Sequence, residues 1–105
     1  MKLAGQTGSI SPTTLFTPGD SGLYRVTVYL NSSAAGSGTI AGSVAWTDEV
    51  GPQAASGTVT NVDTYSSMNV IVRATSGNAI RYSTTEAGTS GAYNLFITVE
   101  QLEQD

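Results

Sequence analysis

The chain has 105 residues, 39% of them hydrophobic and 11% charged, with a formal charge of −4. That length supports one domain with a modest core, since a chain of this size buries roughly 60–70% of its extended surface. Its four basic residues (Lys2, Arg25, Arg73 and Arg81) are scattered, which is not the clustered footprint that displaces counterions from nucleic-acid phosphates.

Residues 1–12 are rich in Gly, Ser and Thr with little periodicity. They read as an extended arm, either free or laid on a neighbouring subunit. The opening MKLAGQTG lacks the apolar stretch of about 7–15 residues that a signal peptide needs, so secretion by that route is not expected. TTLFT (13–17) is a short apolar strand candidate, stopped by Pro18-Gly19-Asp20-Ser21-Gly22. In that turn Pro18 fixes φ, Gly19 accepts positive φ and Asp20 bonds the backbone beyond it.

GLYRVTVYL (22–30) is the strongest strand. Tyr24, Val26, Val28 and Leu30 point one way and Arg25, Thr27 and Tyr29 the other, the period of a half-buried strand. NSSAAGSG (31–38) is a loop by composition. TIAGSVAWTD (39–48) directs Ile40, Gly42, Val44 and Trp46 inward, with Gly42 marking a bulge or a close backbone approach. GTVTNV (57–62) is a weaker strand, 63–67 a turn, and MNVIVRA (68–74) places Met68, Val70, Val72 and Ala74 inward. Ser76-Gly77-Asn78 reads as a tight connection, which predicts that AIRYST (79–84) pairs with the strand before it as a hairpin. A second polar loop over 85–91 precedes AYNLFITVEQL (92–102), with Tyr93, Leu95, Ile97 and Val99 inward and a frayed acidic tail behind it.

No window carries a capped helical period and no apolar run reaches the ~20 residues of a membrane helix. The expected fold is all-β: an antiparallel β-sandwich, jelly-roll-like, of about seven to eight strands. Residues 1–12 form the arm and 13–105 the single sandwich domain.

Out of phase with the inward set stand Leu23, Arg25, Tyr29, Ile71, Arg73, Arg81 and Phe96. Apolar residues and arginines on one sheet face, with few lysines, have the composition of a protein–protein interface. These seven are the expected subunit or partner interface. The same arginines would also suit a plain solvent-facing sheet. A small core without disulfides favours homo-oligomers.

With no Cys and no His, Ser-His-Asp and Cys-His catalysis, thiolate ligands and histidine–metal sites are excluded. Asp48 and Glu49 are adjacent in an extended segment, so their side chains diverge and do not flank one bond. Asp20, Asp48, Glu49, Asp63 and Glu86 lie in or beside loops but form no calcium-loop run. No catalytic, cofactor or metal residue is assigned, and neither nucleic acid, membrane nor small-molecule substrate is an expected partner. Tyr29 and Tyr65 remain as candidate stacking platforms for sugars, because Trp46, Tyr24, Tyr82 and Tyr93 fall on inward phases.

LFTPGDSGLYRVTVYL (15–30), VAWTDEVGP (44–52) and AYNLFITVEQL (92–102) resemble strand motifs of small β-sandwich structural proteins of tailed bacteriophages. Those proteins serve as capsid decoration (cement) proteins or as fibre and spike domains, and are commonly trimeric. The resemblance implies a virion structural protein with no catalytic residues to carry over. A single small domain beginning at Met1, with an arm able to cross a neighbouring subunit, fits the cement role. Its partners would be two further copies of itself and the major capsid protein, on the capsid surface. A fibre or spike domain that binds surface glycans is the alternative.

Overall fold

The computed structural model describes residues 1–32, 37–59, 65–89 and 91–104. Eight strands make up the described fold: β1 (Lys2–Gln6), β2 (Ile10–Phe16), β3 (Gly22–Ser32), β4 (Ser37–Thr47), β5 (Pro52–Val59), β6 (Tyr65–Ala74), β7 (Ile80–Thr89) and β8 (Tyr93–Gln104). They form two four-stranded sheets, ordered β1-β8-β3-β6 and β2-β7-β4-β5. Each pairing is antiparallel.

The pairing has a simple logic. β1 lies on β8, β2 on β7, β3 on β6 and β4 on β5, as in one long hairpin. Rolling that hairpin brings β3 against β8 and β4 against β7 and splits the ribbon into two sheets. This is the jelly roll, as expected. The apex of the hairpin is the turn from Asp48 to Gly51, where Asp48 Oδ1 accepts the amides of Val50 (2.8 Å) and Gly51 (3.1 Å). Gly51 takes φ 141° there, a conformation that favours glycine.

β3 alternates as its sequence dictates: Tyr24, Val26, Val28 and Leu30 are buried. Opposite them stand Ile40 and Val44 of β4, and Ile80 and Tyr82 of β7. Val72, Ala74, Tyr93, Leu95 and Ile97 complete the core, and Trp46 packs half-buried at its edge.

Residues 1–12 are not an arm. β1 pairs with β8, and β2 begins at Ile10 on β7. Little periodicity shows in the sequence because both are edge strands with bulged register. Gly5, at φ 64°, sits inside the β1 irregularity. Ser76-Gly77-Asn78 does not close a hairpin either. β7 pairs with β2 and β4 while β6 pairs with β3, so this turn crosses from one sheet to the other. Gly77 (φ 82°) makes the corner, and its amide donates to Pro18 O at 2.9 Å.

Most strands outrun their expected limits. Asn31, Ser32, Ser37 and Gly38 are strand, and 33–36 lie outside the described residues. Likewise Tyr65 to Ser67 belong to β6, Thr85 to Thr89 to β7, and β8 continues to Gln104. The strand expected over 57–62 is instead β5, starting at Pro52; 60–62 fall outside the described residues. Nor does Gly42 mark a bulge: register runs through it on both sides. A Cβ built there meets Leu30 and Val28 at 3.7 Å, ordinary contact.

A buried polar chain ties the N-terminal strands to both sheets. The Ile10 amide donates to Thr84 Oγ1 (2.9 Å), Thr84 and Tyr93 hydroxyls lie 2.7 Å apart, and Tyr93 Oη donates to Gly8 O. Since Tyr93's one proton goes to Gly8, Thr84 donates to Tyr93 and every group is satisfied. Tyr93→Phe strands the Thr84 hydroxyl and the Gly8 carbonyl. It should lower stability by about 1–3 kcal/mol, read as an earlier urea midpoint with unchanged slope. A midpoint equal to that of the parent would show that the chain of bonds does not hold β1 and β2.

Candidate functional site

The outer face of the β1-β8-β3-β6 sheet receives most of the expected interface set. Register places Leu23 opposite Arg73, Arg25 opposite Ile71, and Tyr29 between Ser67 and Phe96. Six of the seven residues therefore share one face. Arg81 does not: it lies in β7 between Thr14 and Ala45, on the outer face of the other sheet. The hairpin expected at Ser76–Asn78 would have put it beside Arg73; the crossover takes it to the opposite side of the sandwich.

The face is not uniformly apolar. Toward the end away from the Pro18 turn, an aromatic row crosses three strands. Tyr65 lies nearly parallel to Tyr29 (centroids 5.5 Å apart, 9° between planes), and Phe96 meets Tyr29 edge-on at 6.2 Å. Lys2 Nζ continues the row 5.9 Å from the Phe96 centroid, a cation–π contact. Tyr65 is 65% exposed and Ile71 52%, whereas Leu23 and Phe96 are half-buried.

A polar belt separates this row from Leu23 and Ile71. Thr27 Oγ1 donates to Asn69 Oδ1 at 2.8 Å. Beside it Arg25 pairs with Glu100 at 2.6 Å, an exposed ion pair of the kind that contributes little. Arg73 reaches Glu49 with Nε at 3.0 Å and Nη2 at 2.7 Å. Two of the expected interface arginines are thus already neutralised by their own chain. Sequence phase located Tyr29 and Phe96 but not Lys2, Glu49 or Glu100, because none of these three stands near its partner in sequence.

The acidic residues act as structural groups. Asp48 caps the β4–β5 turn, Glu49 holds Arg73, and Asp20 Oδ2 accepts Gln104 Nε2 at 2.8 Å. Asp63 lies outside the described residues. Among the described residues no three acidic side chains gather as a metal would require.

The chain matches no protein-family model and no curated protein. Among solved structures it is similar to the CBM22-1–GH10 modules of the N-terminal endo-1,4-β-D-xylanase 10B of Clostridium thermocellum, complexed with xylohexaose. Sequence identity is 15%, the TM-score 0.48, and the alignment covers 90% of this chain and 19% of that one. The chain thus spans about a fifth of that protein's length.

The Val50 amide, first among several hydrogen bonds, holds the Asp48 carboxyl below the usual carboxylate range; the Arg73 guanidinium does the same for Glu49. Depressed folded values stabilise the native state above the unfolded carboxylate range and lose that contribution as pH falls through the folded values. The melting temperature should hold from pH 8 to about 5 and fall below about pH 4. In Asp48→Ala it should start lower at neutral pH and fall less steeply in acid. An unaltered acid slope would assign the sensitivity to other groups.

Proposed function

We propose that this chain is a non-enzymatic virion structural protein, a trimeric capsid decoration (cement) protein that stabilises a phage head shell. The observation that carries this reading is the outer face of the β1-β8-β3-β6 sheet. There Tyr65, Tyr29 and Phe96 form a continuous row with both tyrosines exposed, the kind of aromatic patch that anchors protein interfaces. The motif resemblance at 15–30, 44–52 and 92–102 supplies the virion context, and the low charge of the chain keeps repulsion between copies small.

In this reading the aromatic face is covered by a neighbouring copy or by the major capsid protein. Apolar area stabilises at about 25 cal/mol per Å2, and the same small footprint repeats over the whole shell. Pressure from inside must then break many such contacts together. β1 and β2 are part of the sandwich, so they are not offered as a separate strap.

Sedimentation velocity at micromolar concentration should show a trimer, and Tyr29→Asp with Ile71→Asp should shift it to monomer. Both positions are exposed, so the melting temperature should change little. The protein should also co-purify with assembled heads in many copies. A monomeric parent protein, or heads without it, would overturn the proposal.

A second reading, a fibre or spike domain that binds glycans, is favoured by the near-parallel Tyr29–Tyr65 pair on an open face. A glycan array should then give a hit that Tyr65→Ala abolishes. An array with no hit, or one indifferent to Tyr65, removes this reading.

A further inference from the structure

A cleft of about 280 Å3 lies at the other end of the molecule, on the β2-β7-β4-β5 sheet. Trp46, Pro52, Gln53, Asn78 and Arg81 line it. Its position follows from the fold. β4 leaves Trp46 opposite Gln53 of β5, and the sheet-crossing turn after β6 brings Asn78 over the start of β7. Volumes somewhat above this, roughly 300–1,000 Å3, serve drug-sized ligands, so the space suits a single sugar ring and its substituents.

The charge distribution says which ring. Of the four basic residues, Arg25 is paired with Glu100, Arg73 with Glu49, and Lys2 stands over Phe96. Arg81 is exposed and, among the described residues, has no acidic partner. Its cross-strand neighbours are the neutral Thr14 and Ala45. In a chain of charge −4, an arginine without a carboxylate partner among the described residues, lining the same cleft as the half-buried Trp46, is a vacant half of an ion pair. Its planar fork matches a carboxylate bidentately.

The amides complete the lining. Asn78 Nδ2 donates to Thr75 Oγ1 at 2.8 Å, which orients that side chain and leaves its Oδ1 to accept a hydroxyl. Gln53, whose amide N–H bonds the Asp48 carboxylate, has its Oε1 left as a second acceptor, and Trp46 supplies an apolar wall. A few placed polar groups against an aromatic surface are the ordinary make-up of a small-ligand site.

We infer that this cleft binds an acidic saccharide unit, its carboxylate on Arg81, its ring against Trp46 and its hydroxyls on Asn78 and Gln53. The inference is independent of the aromatic row, which lies on the opposite sheet.

Trp46 is the one tryptophan of the chain, so its fluorescence reports occupancy directly. Digalacturonate should produce a saturable change, with neutral galactobiose binding about tenfold more weakly or worse. Arg81→Gln should weaken the acidic disaccharide by a similar factor, to the level of the neutral one, and Arg81→Lys should restore part of the loss. Tyr29→Ala should leave the titration unchanged, which separates this cleft from the other face. Circular dichroism and melting of Arg81→Gln should match the parent, as expected for an exposed position. No saturable change with digalacturonate, or equal binding by Arg81→Gln, would overturn the inference. So would acetate acting as strongly as the sugar, since the ring would then contribute nothing.

Discussion

The molecule depends on the side-chain alternation of β3. This strand is paired on both sides, to β6 through ten consecutive residue pairs and to β8 through eleven, with one register shift between Leu23 and Tyr24. A slip of one residue would turn Tyr24, Val26, Val28 and Leu30 to solvent and bring Arg25, Thr27 and Tyr29 inside. No core would survive that exchange, so register, inner face and outer face are fixed together. Gly22 marks where the constraint is tightest: a Cβ there would lie 2.1 Å from Glu103 O, so only glycine lets β8 approach at that point.

From this centre the roll follows by pairing inward and outward along the ribbon. Antiparallel partners far apart in sequence, such as β1 and β8, close a longer loop than the inner pairs do, at a higher entropic cost. Polar anchors compensate where hydrophobic pattern is weak. Ile10, Thr84, Tyr93 and Gly8 are joined by three bonds across both sheets, and Asn94 Oδ1 accepts the Gly5 amide at 2.9 Å. At the opposite end Thr47 O, Pro18 O and Ser21 Oγ accept from the turn between β6 and β7.

Strand phase was legible in the sequence wherever one face is fully buried. Tyr24, Val26, Val28, Leu30, Ile40, Val44, Val72, Tyr93, Leu95 and Ile97 all face inward as their alternation indicates. What alternation cannot convey is which strand is a neighbour. Ser76-Gly77-Asn78 has the chemistry of a reversal, and it does reverse the chain, but into the other sheet. Arg81 consequently lands far from Arg73. β1 is silent in the sequence for another reason: an edge strand whose residues are mostly exposed carries no periodic signal, and tertiary hydrogen bonds hold it. The aromatic row was half legible. Tyr29 and Phe96 follow from phase, while Tyr65 and Lys2 join them only through register.

The position of β1 has a practical corollary. Lys2 stands directly across from Phe96, whereas β8 finishes with Gln104 across from Gly22, at the end of the sandwich that carries the Trp46 cleft. Because β1 runs antiparallel to β8 and Met1 bonds Ile97, a polypeptide fused ahead of Met1 starts beside the phenylalanine and is directed along β8 toward Gln104, past the aromatic row rather than over it. Cargo attached behind β8 departs from the far tip and leaves that surface bare.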